Sequence, residues 1–157
     1  MSGIDKLDVI FCYAGDPHNT SRDSPYTITR ELYSALSNSF RSVKYVDWCH
    51  TGELPNVTND TVLLLHPNYP RNTPAWKLFD EQARLKCLIF PFHSKLPEYN
   101  LPFNELVMRS DQVFSITGKY WYDTILNTPF AAWLSKITRV DMAVDATAFP
   151  FVRSSIV

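Results

Sequence analysis

Six apolar runs, each followed by a stretch with a different pattern, limit how this chain can fold more than any single motif does. The runs are Leu7–Tyr13, Val43–Trp48, Thr61–His66, Lys86–Phe92, Asp111–Ile116 and Ile137–Val144. Short runs that are apolar nearly throughout are typical of strands covered on both faces of a sheet. Strands of this kind that alternate with helices indicate right-handed crossovers and a parallel sheet.

The stretches between the runs carry signals for helices. Ser24 is a favoured capping residue with Pro25 at the predicted first helical position, and Thr73 and Pro74 repeat the pair. Apolar residues then recur at helical spacing. The predicted helices span Pro25–Phe40, Pro74–Leu85 and Leu101–Arg109, with shorter ones from Tyr120 and after Pro129. Together with the six strands they predict a Rossmann-like three-layer α/β/α domain with an approximately six-stranded parallel sheet.

Length and charge narrow the possible functions. A chain of 157 residues has the size of one domain. Its net charge of −1 comes from interspersed acidic and basic residues, so we expect no nucleic-acid partner. The longest apolar stretches are too short to span a bilayer, and Met1–Lys6 lacks a signal-peptide pattern. We therefore expect a cytoplasmic protein without a transmembrane segment.

The cysteines and histidines are spaced too widely for a preformed metal centre. Cys12, Cys49 and Cys87 form no CxxC pair, and the four histidines lack the close spacing of zinc ligands. Cys12 and Cys87 lie inside apolar runs, which predicts buried free thiols. We expect no bound metal and no resident cofactor.

Two of the four glycines, Gly15 and Gly118, stand just beyond the end of a predicted strand. Neither belongs to a GxGxxG or GxxxxGK[ST] motif, which disfavours classical NAD enzymes and P-loop NTPases. A missing side chain at a strand end lets backbone amides approach a bound group closely. Each glycine alone is explained equally well by a tight turn. Two of them at one crevice, formed by the carboxyl ends of parallel strands, favour a ligand.

Polar residues gather beside the first of these glycines. Asp16 and His18 have the groups that hold sugar hydroxyls or act as acid and base, although short polar residues also stabilise turns without a ligand. Tyr26 and Thr27 open the first helix, where they either cap it or help to bind an anion.

The second group follows runs three, four and five. His93 follows run four, where an imidazole donates to a substrate hydroxyl or phosphate or titrates near neutral pH. His66, which closes run three, has the same possible roles, and a single histidine in a loop often has none. Lys119 supplies a cation beside Gly118, and a solvated surface lysine is the default alternative.

Three segments resemble the N-terminal half of a GT-B-fold glycosyltransferase, similar to family 4 of the retaining enzymes. Ser110–Thr117 resembles the family's fifth strand, in which an Asp opens the strand and a hydroxyl residue closes it. Leu88–His93 resembles the strand that carries the family's histidine to the cleft, and Ile137–Phe149 resembles the segment leading to the second domain. The chain departs from the family in its first loop, because Gly15 precedes a long polar insert where a glycine-rich loop is common.

The resemblance implies that residues 1–150 form the Rossmann-like acceptor-side domain and that residues 151–157 begin the linker to a donor domain, with its E-x7-E element, that this chain lacks. It implies transfer from a nucleotide-sugar donor to a carbohydrate or lipid-linked acceptor, with retention of configuration. Trp133 and Phe149–Val152 are then candidates for an exposed apolar surface where the missing C-terminal domain docks, in cis or in trans. The isolated chain is expected to be inactive.

The resemblance also assigns roles to residues. His93 is the expected catalytic residue. The expected substrate-binding residues are Gly15, Asp16, His18, Tyr26, Thr27, Thr117, Gly118 and Lys119. The alternative is a stand-alone Rossmann-like module that binds a ligand or a protein, since a fold does not fix a function.

Overall fold

The computed structural model describes residues 3–47, 50–66, 73–90, 101–115, 123, 126–129 and 131–140. Six parallel strands form one sheet in the order β2-β1-β3-β4-β5-β6. They are β1 (Asp8–Tyr13), β2 (Ser42–Asp47), β3 (Thr61–Leu65), β4 (Leu85–Phe90), β5 (Gln112–Ser115) and β6 (Ile137–Arg139). The helices are α1 (Ser24–Ser39), α2 (Pro74–Asp80) and α3 (Leu101–Arg109), and 3₁₀ turns span Gly3–Lys6 and Ala131–Lys136. The predicted α/β class with a six-stranded parallel sheet is confirmed.

Each face of the sheet has its own apolar core. On β1, Val9, Phe11 and Tyr13 pack in the cluster that includes α1. Ile10 and Cys12 pack in the cluster that includes α2, α3 and the second 3₁₀ turn. All five are at most 3% exposed. Burial of every second residue on each side explains why this strand is apolar without alternation.

The two described cysteines are buried free thiols, as their positions in the apolar runs predict. Burial raises the pKa of the Cys12 thiol to about 12 and that of Cys87 to about 11. Because the thiolate is the reactive form, neither side chain is activated for nucleophilic or redox chemistry. Cys49 lies outside the described residues.

Helix α2 is shorter than the sequence predicts. It ends at Asp80, and Glu81 is already extended with φ −73° and ψ 160°. Ala83 is therefore outside the helix, and Leu85 opens β4, where it pairs with Val62. Ala83 lies four residues after Phe79, which is helical spacing although the helix has already ended. The spacing of these two apolar residues therefore does not indicate where the helix ends.

Two further expectations differ in detail. Asp23, not Ser24, occupies the N-cap position of α1, and its side chain makes no capping hydrogen bond. The Asp23 carboxylate instead accepts a hydrogen bond from the Ser21 hydroxyl at 2.8 Å. Trp133 is 1% exposed and belongs to the core, so it is not part of an exposed docking surface. Phe149–Val152 lie outside the described residues.

Polar side chains at the amino edge of the sheet fix the strands in register. Arg41 donates to both carboxylate oxygens of Asp8, at 3.0 and 2.5 Å, and the Ser42 hydroxyl donates to the first of them at 2.6 Å. These hydrogen bonds lower the pKa of Asp8 to about 2. The Asp111 carboxylate accepts the backbone N–H of Lys86 at 2.7 Å. These groups are occupied in holding strands together.

Candidate functional site

The strand order places a crevice at the carboxyl end of β1. Strand β1 lies between β2 and β3, and the order continues from β3 to β6 in the opposite direction from β2. Ligands of open parallel sheets bind outside the carboxyl ends of the strands where the order reverses in this way. The residues that follow Tyr13 and Leu65, the last residues of β1 and β3, are therefore the ones to consider first.

The turn that follows β1 is held in place by side-chain hydroxyls. Gly15 has φ +93°, a left-handed conformation that L side chains rarely adopt. The Tyr45 hydroxyl on β2 lies 2.6 Å from the Gly15 carbonyl oxygen and 2.9 Å from that of Tyr13. The Thr29 hydroxyl on α1 donates to the carbonyl between them, that of Ala14, at 2.7 Å. The left-handed backbone conformation is what requires glycine at this position.

Asp16 and His18 contact each other through the backbone of His18, and their expected roles in binding stay predictions. The His18 N–H donates to Asp16 Oδ1 at 2.8 Å, and the Asn19 N–H donates to the Asp16 carbonyl at 3.1 Å. The His18 ring packs edge-on against Tyr33 of α1, with 5.6 Å between the centroids. One Asp16 oxygen thus stabilises the turn, while the side chain as a whole is exposed.

Tyr26 and Thr27 lie in the first turn of α1 and are half-buried. The Thr27 N–H donates to the Asp23 carbonyl at 3.0 Å. Thr29, which is fully buried, is the α1 side chain that contacts the Gly15 turn. The expected role of the helix opening in binding stays a prediction.

His66 lies at the carboxyl end of β3, beside the end of β1. Its N–H donates to the Cys12 carbonyl at 3.0 Å, and its ring meets the Tyr13 ring edge-on at 4.8 Å between centroids. Burial lowers the pKa of His66 to about 4, so the imidazole is neutral near pH 7. A neutral imidazole has both a donor and an acceptor nitrogen, which suits it to hydroxyl groups.

Tyr45, Thr29 and Asp47 are functional candidates that the sequence reasoning missed. Asp47 ends β2, and its carboxylate lies 3.1 Å from the Tyr45 hydroxyl. Side chains alternate between the two faces of a strand, so Tyr45 lies on the same face of β2 as Val43, the face that packs against α1. The alternation in run two could therefore have predicted a phenol on this face. Nothing in the sequence, however, indicates that it reaches the turn of another strand. Burial raises the pKa of the Tyr45 phenol above its usual value, and Asp47 adds to this effect.

Four of the predicted site residues, His93, Thr117, Gly118 and Lys119, lie outside the described residues. The strands that lead to them end at Phe90 and Ser115, which pair with each other. Their expected roles stay predictions.

The described residues contain neither a cluster of metal ligands nor a membrane-spanning helix. Among these residues, no group of three or more His, Cys, Asp or Glu side chains is arranged to hold a metal ion. No helix within them is long and apolar enough to cross a bilayer.

One curated protein shows distant similarity to the chain. It is the cell wall alpha-1,3-glucan synthase mok13 of Schizosaccharomyces pombe, which is 26% identical over 141 aligned residues. The alignment covers 71% of this chain and 6% of that much longer protein. No protein-family model matches the chain, and no solved structure matches it. The similarity to a sugar-polymer synthase is therefore distant and concerns a small part of that enzyme.

Proposed function

We propose that this chain is the acceptor-binding half of a glycosyltransferase, which transfers a sugar from a nucleotide-sugar donor with retention of configuration. The observation that carries the proposal is the similarity to a glucan synthase over 71% of the chain. The parallel sheet supports it, because its order reverses beside the ordered Gly15 turn. A glucose polymer is the acceptor class that the relative's name favours.

In this proposal the nucleotide is held by a second α/β half, and residues 1–150 present the acceptor. The bond between the sugar's anomeric carbon and the diphosphate breaks, and the acceptor oxygen forms a new bond to that carbon. The acceptor proton leaves with the diphosphate. Catalysis rests on positioning and on stabilising the departing diphosphate, without a covalent enzyme nucleophile.

The proposed roles of the residues follow from their places in the chain. His93 contacts the transferred sugar and is the catalytic residue. In this proposal Thr117, Gly118 and Lys119 bind the substrate, as does the Gly15 turn, with His66 beside it at the end of β3.

The test is a transfer assay on the full-length product of the coding sequence. The donor is UDP-glucose and the acceptor is nigerotetraose, a short α-1,3-linked glucose oligomer. We expect elongated product whose new anomeric signal in proton NMR shows the donor's α configuration. The His93→Ala variant should lose at least about a hundredfold in kcat, in the range of general acid–base or electrostatic contributions.

The matched control is His50→Ala, which changes the same residue type in the connection between β2 and β3. The His50 ring contacts the Glu53 carbonyl at 3.1 Å. The variant keeps the backbone N–H of residue 50, which donates to the Asp47 carbonyl at 2.9 Å, so loss of the ring should leave transfer unchanged. Transfer that is unaffected by His93→Ala, or no transfer by the wild type with any activated sugar, would count against the proposal.

A further inference from the structure

Three successive carbonyl oxygens at the end of β1 lie within hydrogen-bond distance of a side-chain hydroxyl. The single phenol proton of Tyr45 goes to one acceptor at a time, and the Gly15 oxygen is the nearest at 2.6 Å. Tyr45 contacts the carbonyls of Tyr13 and Gly15, and Thr29 contacts that of Ala14. The two hydroxyls come from different elements, β2 and α1. A left-handed glycine forms a tight turn without help from any side chain. Formation of the turn alone therefore does not explain why two hydroxyl groups contact it.

The bound carbonyls fix the direction of the N–H groups that share their peptide planes. The described peptide bonds are all trans, and the C=O and N–H of a trans peptide point in opposite directions. The Gly15 N–H therefore points away from Thr29, and the Asp16 N–H points away from Tyr45. Neither N–H donates a hydrogen bond to any described residue. Two adjacent donors are thus oriented, and neither has an acceptor within the part of the chain that the structure describes.

Among the described residues, the charges beside these donors are negative. Asp47 lies 3.1 Å from the Tyr45 hydroxyl, and Asp16 follows Gly15 directly. Both carboxylates are near enough to act electrostatically on the Tyr45 phenol. A diphosphate here would meet two like charges, whereas a sugar hydroxyl accepts from an N–H and donates to a carboxylate.

We propose that the Tyr45 and Thr29 hydroxyls are positioning groups that hold the Gly15 and Asp16 N–H groups ready to bind hydroxyl oxygens of a neutral sugar. This inference rests on the proposed function and names the ligand class of the β1 turn. Neither hydroxyl touches the sugar itself. Their removal should loosen the turn and weaken binding without changing what is bound.

The test measures binding of nigerose, an α-1,3-linked glucose disaccharide, to the 157-residue chain by amide NMR. We expect the Gly15 and Asp16 signals to shift with nigerose and not with inorganic pyrophosphate. Tyr45→Phe should weaken nigerose binding about three- to tenfold, the range expected for one neutral hydrogen bond. It should also lower the order parameter of the Gly15 amide before any ligand is added, which a purely additive contact would not do.

The controls separate positioning from general destabilisation. Tyr33→Phe makes the same chemical change on α1 and keeps the ring that packs against His18, so it should bind nigerose as the wild type does. Thr29→Val removes the second hydroxyl at constant shape and should weaken binding, whereas Thr29→Ser keeps the hydroxyl and should restore it. Near-UV circular dichroism measures the tertiary structure of each variant. Binding is then compared at a temperature at which all the variants are folded.

Three outcomes overturn the inference: no shift of Gly15 and Asp16 with nigerose, shifts with pyrophosphate alone, or unchanged affinity and order in Tyr45→Phe. Failure of the proposed function has a different signature, because sugar transfer by the full-length product is absent there whether or not nigerose binds to this turn.

Discussion

At the residue scale, the side chains near the crevice differ in whether they can change charge near neutral pH. His66 is the clearest case, because burial lowers the pKa of its imidazole to about 4 while the unfolded chain keeps a value near 6.5. Its neutral ring lies against Tyr13, whose own pKa is raised to about 12 by burial. Both rings are thus uncharged parts of the crevice wall at pH 7.

His66 makes a testable contribution to the pH dependence of stability. As the pH falls below 6.5, His66 becomes protonated in the unfolded chain, whereas in the folded chain it stays neutral down to about pH 4. The folded state therefore loses stability as the pH falls from about 6.5 to about 4. The contribution is present in full above pH 6.5. Urea unfolding measures the free energy of unfolding at pH 7 and at pH 5. From pH 7 to pH 5 this free energy should fall by about 1–2 kcal/mol more in the wild type than in His66→Asn.

His50→Gln serves as the comparison, because it removes an imidazole from the connection between β2 and β3. Its loss of stability from pH 7 to pH 5 should equal that of the wild type. Equal slopes for the wild type and His66→Asn would show that His66 is not held neutral by the fold.

At the element scale, α2 shows how a short helix is held against its neighbours. Phe79 is fully buried in the core between α2, α3 and the sheet. Its carbonyl oxygen accepts a hydrogen bond from the Lys86 ammonium at 2.8 Å. The centroid of its ring lies 5.5 Å from the Lys86 Nζ and 5.6 Å from the Arg109 Cζ. One residue thus connects α2 with β4 and α3 through apolar packing and two cations.

Replacing Phe79 should therefore disturb more than one element. Phe79→Ala should lower the free energy of unfolding by about 3–5 kcal/mol, through lost burial and the cavity that remains. If that variant does not fold, Phe79→Leu should cost about 1–1.5 kcal/mol. Met108→Ala on α3 is the control, since Met108 is 46% exposed and its loss should stay within about 0.5 kcal/mol. Denaturant unfolding measures all three, and a Phe79→Ala cost no larger than the control's would contradict this role.

The elements also show what can be predicted from the sequence. β1 and α3 were predictable because continuous apolarity and helical spacing each match one kind of burial. The end of α2 was not, because Ala83 still lies four residues after Phe79, as in a helix, although the helix ends at Asp80 and Leu85 pairs with Val62 in β4. Local pattern carries no information about a partner strand that lies elsewhere in the chain.

At the scale of the whole molecule, the parallel order brings distant segments to one edge. Gly15 and His66 were predictable as crevice residues because each follows a strand, and every parallel strand ends at the same edge. Tyr45 and Thr29 were not, because their role comes from the order of β2 beside β1 and the packing of α1 on that face. A contact between residues 30 positions apart is a property of topology and not of any local motif.

The most direct test of a sugar site at this edge is an amide NMR map of the whole chain during a titration with nigerotetraose. We expect shifted signals at the carboxyl edge of the sheet, at Tyr13 through Asp16, at Asp47 and at His66. Signals at the amino edge, such as those of Asp8, Ser42 and Asp111, should not move. Shifts confined to the amino edge, or no shift anywhere at millimolar sugar, would show that the crevice beside β1 does not bind a sugar.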